Sequence, residues 1–198
     1  MHDDLRFARL ATIPHASVAI AVRPLLFRLS RVTSSYWILN AAAFAWLCVA
    51  WIESGAGFVR GFPSVCLGMV LAFMVLLPLH EATHALAYKL VGAGGVSVHY
   101  DLRRLSAHCI ADRAVVGRAS FAFVALAPTI VLTGALVVAT LFMPPGIPRL
   151  LVAGAMLLHL GAASGDVALL NLVMSARHAV VWTYDDLARG ESYFFGAT

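Results

Sequence analysis

The chain has 198 residues, 61% of them hydrophobic and 12% charged, with a net charge of +4 and a mean hydropathy of +0.86. Soluble domains carry about 25% charged residues, so this composition excludes an ordinary water-soluble fold and points to a single integral-membrane domain over 1–198. A nucleic-acid partner is excluded too, because the arginines flank apolar runs without forming a basic stripe interleaved with aromatics; anionic lipid headgroups are the expected partner.

Residues 1–35 alternate arginines (Arg23, Arg28, Arg31) with Val22, Leu25, Leu26, Phe27 and Leu29, which predicts a helix lying in the headgroup layer. A cleaved signal peptide fits poorly, since Asp3 and Asp4 come first and no long uncharged core follows. The transmembrane core, 36–174, holds four apolar spans: Tyr36 to Ile52, Pro63 to Val91, Ala119 to Met143 and Leu150 to Met174. Each is long enough to cross roughly 30 Å of hydrocarbon. Short connections at Gly55 to Gly61 and at Pro144-Pro145-Gly146-Ile147-Pro148 separate them, and residues 175–198 form a tail. The fold class is an all-α membrane protein with about four transmembrane helices, an N-terminal interfacial helix and one β-hairpin.

That hairpin falls between spans two and three. After Gly92-Ala93-Gly94-Gly95 come Val96, Val98, Tyr100 and Leu102 at alternate positions, an Arg103-Arg104 corner, then Leu105, Ala107 and Cys109 alternating again. A hairpin there is able to offer an edge to an extended peptide, or to act only as a lid. His99 and His108 on it are expected to be exposed bystanders. Cys48, Cys66 and Cys109 have no paired spacing and read as packing residues.

Span two carries His80-Glu81-Ala82-Thr83-His84. On a helix the histidines of H-E-x-x-H lie one turn apart on one face, about 6 Å between their side-chain roots, so both imidazoles can reach one zinc ion. Glu81 then stands beside the metal, where a carboxylate can take a proton from water and pass it to a leaving amine. Three ionisable groups at depth in a bilayer cost several kcal/mol each, which asks for a functional reason. Pro78, two residues before the motif, predicts a bend or restart of the helix, and Pro128 predicts the same in span three.

The basic residues set an orientation. Arg6, Arg9, Arg23, Arg28 and Arg31 precede span one, and Lys89, Arg103, Arg104, Arg113 and Arg118 surround the loop between spans two and three; the other connections hold Arg60 and Arg149. The positive-inside rule therefore puts both termini and the long loop in the cytoplasm. Spans two and four then run the same way. Counting back from their cytoplasmic ends, His80 and His84 lie roughly 10–16 Å deep and Asp166 roughly 12 Å.

Catalytic zinc takes three protein ligands. Asp166, inside span four, is the leading third ligand; His159, seven residues earlier on the same face and about 10 Å deeper, is its rival and the better candidate for a supporting role. Small residues Gly161, Ala162, Ala163, Ser164 and Gly165 are expected to let span four approach span two closely. Asn40, Asn171 and His159 are the candidate oxyanion donors.

Over residues 70–190 the chain resembles the small bacterial membrane proteins of the putative zincin peptidase family, and more distantly the site-2 intramembrane proteases. The resemblance rests on Leu79-His80-Glu81-Ala82-Thr83-His84-Ala85-Leu86, the Gly-rich loop and hairpin, Leu126-Ala127-Pro128, Ser164-Gly165-Asp166, and Tyr184-Asp185-Asp186 leading to Tyr193 and Phe194. It implies a metallopeptidase with His80, His84 and Asp166 on Zn2+ and Glu81 as base, in the bacterial inner membrane. Site-2 proteases set their aspartate in an Asn-Pro-Asp-Gly-like context, whereas Ser-Gly-Asp-Val stands here. The expected activity is hydrolysis of peptide bonds of a membrane protein or peptide within or beside the bilayer. The rivals are a non-catalytic pseudoprotease that binds membrane proteins and a zinc hydrolase of lipid esters or amides; a multi-histidine di-iron oxidase needs more clustered histidines than one close pair. Oligomeric state is not legible.

Overall fold

The structure is a computed structural model that describes residues 7–101 and 106–197. In chain order it runs β1 (Phe7–Pro14), a 3-10 turn (His15–Ser17), α1 (Val18–Phe27), α2 (Arg31–Ser54) and α3 (Phe58–Leu71). A π turn (Ala72–Leu76) leads into α4 (Leu77–Leu90), followed by β2 (Val96–Asp101), β3 (Ser106–Ala111), β4 (Val115–Gly117) and α5 (Arg118–Phe142). The chain closes with α6 (Ile147–Ala162), α7 (Ser164–Ser175), β5 (Val181–Asp186) and β6 (Glu191–Ala197).

Three helical stretches are long and apolar enough to cross a membrane: α2, the continuous Phe58–Leu90, and α5. Helices α6 and α7 make a fourth only if the bend between them lies within one span. The break is at Ala163, whose ψ of 1° has left the helical region. His159 and Asp166 are therefore on different helices, and the sequence expectation that one continuous helix face separates them is corrected.

The π turn is the physical answer to Pro78. A proline ring inside a helix collides with the carbonyl four residues back and brings no N–H to bond it. Widening the preceding turn relieves the collision. Accordingly Leu77 N–H donates to Ala72 O, five residues back, and the helix passes into the motif without restarting.

Two corrections concern the ends of the chain. The all-α expectation fails because a four-stranded antiparallel sheet, in the order β1-β6-β5-β4, accompanies the β2-β3 hairpin. Within residues 1–35 the chain is α-helical over Val18–Phe27 and again from Arg31, the start of α2; Phe7–Pro14 is a strand paired with β6, from Phe7↔Ala197 to Pro14↔Glu191. The supposed tail is the β5-β6 hairpin, turning at Gly190, whose φ of +65° suits glycine. The β-branched and aromatic runs Val181-Trp182-Thr183-Tyr184 and Tyr193-Phe194-Phe195 explain why these residues extend. The predicted hairpin is present, with register Val96↔Ala111 through Asp101↔Ser106. Its corner, Leu102, Arg103, Arg104 and Leu105, lies outside the described residues, as do Asp3, Asp4 and Arg6.

The chain divides into two compact units. One comprises Met1–Thr33, Glu81–Ala127 and Gly165–Thr198. Its core gathers Ala87 and Tyr88 of α4, Phe121, Val124 and Ala125 of α5, Leu170 and Val173 of α7, and Ile13, Val116, Val181 and Phe194 of the sheet. The other comprises Ser34–His80 and Pro128–Ser164. There α3 and α6 touch through glycine: a Cβ at Gly68 would lie 2.1 Å from Leu151 O, and one at Gly154 would lie 2.8 Å from Val65 O. Close approach was expected instead at Gly161 and Gly165, yet a Cβ at either meets nothing within 4 Å. Those two glycines flank the break at Ala163, which is itself fully buried.

Candidate metal centre

Helix α4 runs without interruption through the motif, so His80 and His84 are held one turn apart by the backbone itself. Both rings are buried, and Glu81 between them is only 4% exposed. Asp166 stands in the first turn of α7, where the helix N-terminus favours a carboxylate. The sequence thus places the acid by a break in span four, not merely by its depth.

Nε2 of His84 lies 3.3 Å from Oδ1 of Asp166. Two ligands of a tetrahedral zinc, each about 2.0–2.1 Å from the ion, stand roughly 3.3–3.4 Å apart. The pair is therefore already at the spacing of one edge of the coordination tetrahedron. One ligand atom each from His80, His84 and Asp166 all lie within 4.8 Å of one another, the single such trio among the described residues. Two imidazoles and a carboxylate are a donor set suited to zinc, and three is the number of protein ligands that catalytic zinc sites use. The residues present fit the ion.

The other ring nitrogen of His84 has a partner that the sequence explains. Nδ1–H donates to the carbonyl of Val124 at 3.0 Å, a buried bond to α5. In a regular helix that carbonyl would accept from the N–H four residues on. Residue 128 is proline and has none. Pro128, one of the largest fully buried side chains, thus frees Val124 O to orient His84, and the bond fixes the proton on Nδ1 and leaves Nε2 basic toward Asp166. Sequence reasoning missed this role of Pro128; its spacing of four from Val124 was the available signal.

The remaining candidates separate. The rings of His80 and His159 meet edge to face, with centroids 5.4 Å apart, so His159 supports His80 instead of joining the ligand trio. The Asn40 amide donates to Tyr36 O of its own helix, and the Asn171 amide donates to Leu25 O and Arg28 O while accepting from Ser175. Both asparagines are committed to holding backbone. Burial pushes the Cys109 thiol up to about 12, with the carboxylates of Glu81 and Asp185 adding to it.

A buried His-Glu-x-x-His helix and an aspartate from another helix together make a group that could hold one metal ion. Residues 73–181, more than half of the chain, match the family described as "Putative zincin peptidase", and the chain belongs to that family. No curated protein and no solved structure matches it.

Proposed function

We propose that this protein is a zinc-dependent peptidase that cleaves peptide bonds of membrane proteins or peptides within or beside the bilayer, on its cytoplasmic side. The observation that carries the reading is the convergence of His80, His84 and Asp166 within 4.8 Å around a buried Glu81. His80, His84 and Asp166 hold the ion. Zinc, when bound, polarises the scissile carbonyl and makes water more acidic. Glu81 takes the proton of the attacking water on its carboxylate and delivers it to the leaving nitrogen. His84, locked by Val124 O, keeps its tautomer throughout the cycle, and His159 steadies the His80 ring. The distant likeness to site-2 proteases rests on the motif and its membrane setting alone.

A membrane setting is supported by an inside-out distribution of side chains. Ile52, Val59 and Phe142 on the long helices are 79–85% exposed, whereas Thr129, Thr133, Thr140 and His159 are buried. Lipid is the solvent in which such faces cost nothing. Strand pairing supports four crossings. The sheet joins residues near 7, 115, 181 and 197, which supports a reading with all four positions on one side of a bilayer. On that reading even numbers of crossings separate them: α2 with Phe58–Leu90, then α5 with the bent α6-α7 pair. Positive charge flanking these segments supports the cytoplasm as that side.

The test uses full-length protein in liposomes, loaded with zinc and offered membrane peptides and lipid esters. Glu81→Gln should retain zinc and lose about 10²–10⁴-fold in cleavage rate. His80→Ala should lose both metal and activity. Full peptide cleavage by Glu81→Gln would refute the mechanism. Hydrolysis of lipids but not peptides would transfer the site to the lipid-hydrolase alternative, and no Glu81-dependent turnover would leave the pseudoprotease.

A further inference from the structure

Where α4 ends and α5 begins, the fold leaves an open cavity of about 580 Å³, bounded on its other sides by β4 and the segment entering β5. Every residue lining it belongs to one compact unit. Its walls are mostly apolar, with Val91, Val115, Ala119, Val180 and Trp182 among them, and Arg118 is the one charged residue in the lining among the described residues. Val115, Val180 and Trp182 stay exposed although they lie outside the long apolar helices. Water is a costly solvent for such a mouth.

Arg118 is fixed in place but not neutralised. Its Nη2 donates to Ala176 O at 3.0 Å and to His178 O at 2.7 Å, which holds the guanidinium plane. Among the described residues Nη1 has no acceptor, and no carboxylate pairs with the group. A partly buried cation without a counter-ion is costly, and a charge-assisted bond to an anion offsets that cost. The neighbouring wall is preset as well: a Cβ on Gly117 would lie 3.3 Å from the Trp182 ring, so that ring rests on the backbone of β4.

We propose that this cavity binds one anionic phospholipid, its phosphate on Nη1 of Arg118 and its glycerol and upper acyl carbons against Val91, Val115, Val180 and Trp182. A phosphate is common to a lipid headgroup and to the free anion; the apolar walls favour the lipid. Helix α4 closes the long apolar stretch Phe58–Leu90 and α5 opens the next one, so the cavity sits at the adjoining ends of two crossings, the level of the headgroup phosphates. Tryptophan suits that level, and an arginine held by carbonyls presents a preset donor to phosphate. This is one defined place for one lipid, distinct from the diffuse attraction of basic flanks to a charged surface. A lipid seated there touches the end of the helix that carries His80 and His84 and the start of the helix whose Val124 orients His84.

The site rests on the membrane placement proposed above and is independent of the metal centre. Full-length protein, purified in detergent, is mixed in turn with dioleoyl phosphatidylglycerol, dioleoylglycerol and inorganic phosphate, and bound molecules are counted by native mass spectrometry. The wild type should retain one phosphatidylglycerol per chain, and neither dioleoylglycerol nor inorganic phosphate. Arg118→Gln should weaken retention by about tenfold or more. That change also disturbs the bonds to Ala176 and His178, so Ala119→Glu gives the cleaner test. An acid in the first turn of a helix keeps or raises the lipid-free Tm, yet it repels the phosphate and should weaken retention as much. Arg60→Gln, an equal loss of positive charge near the far end of the Phe58–Leu90 stretch, should retain the lipid fully. Adducts with no single-lipid step, retention unchanged in both Arg118→Gln and Ala119→Glu, or an equal loss in Arg60→Gln overturns the proposal. Equal retention of dioleoylglycerol reduces the cavity to an apolar groove, and retention of inorganic phosphate alone makes it a free-anion site; either also overturns it. Resistance to alkaline carbonate reads the membrane placement separately, so a carbonate-resistant protein that retains no phosphatidylglycerol refutes the lipid site alone.

Discussion

Val124 accepts a hydrogen bond from a histidine because a proline four residues later cannot compete for it. Substituting Pro128→Ala restores the competing N–H, so zinc affinity should drop by up to about tenfold, the low end of losses on disturbing a ligand's outer partner. Unfolding of the metal-free protein should meanwhile shift upward or not at all, because alanine suits a helix interior better than proline. Lower metal-free stability with unchanged affinity would show that Pro128 only fills space. Cys109 gives a second test. Burial raises its thiol to about 12, so the folded state holds the proton more tightly than the unfolded one. Its contribution to stability is then complete below about pH 8.5 and declines as pH rises toward 12. Alkylation at pH 8.5 should run roughly a thousandfold slower than for an unperturbed thiol; a rate within tenfold of free cysteine would contradict the burial.

Helices α3 and α6 depend on two glycines whose absent side chains let backbone meet backbone. Gly68→Val would drive a methyl group into Leu151 O, and about 3 kcal/mol of destabilisation is expected, read as a lowered Tm in detergent. Gly161→Ala and Gly165→Ala, with open space around them, should leave Tm within about a degree or two or raise it slightly. Elsewhere side chains tie one element's end to another's start. The Arg118 guanidinium, at the first residue of α5, donates to Ala176 O and His178 O just beyond α7. Asn171 of α7 likewise holds the last carbonyls around α1. Both contacts bridge sequence separations of more than fifty residues and fix the frame from which Asp166 projects.

If the sheet keeps residues near 7, 115, 181 and 197 on one side of a bilayer, reporters fused at either terminus or inserted near the 102–105 corner should all report the cytoplasm. A terminus found outside would break either the strand pairing or the fourth crossing. The protein should also stay with membranes through alkaline carbonate and come off only in detergent, since the exposed apolar faces of α2, α3 and α5 have no partner in water. Release at high pH would end the membrane reading.

The motif, the long helices and the β2-β3 hairpin were legible in the sequence, because each rests on local spacing: 3.6 residues per turn puts His80 beside His84, about twenty apolar residues span hydrocarbon, and alternation marks a strand. The helical reading of Phe7–Pro14 failed since its partner, β6, lies almost two hundred residues away, and no local pattern announces that pairing. Depth along span four already favoured Asp166 over His159, and tertiary structure alone decided the means: a break at Ala163 sets Asp166 3.3 Å from His84 and leaves His159 against His80. It also decided that a carbonyl freed by Pro128 would orient the ring, because side chains far apart in sequence meet only once the chain has packed.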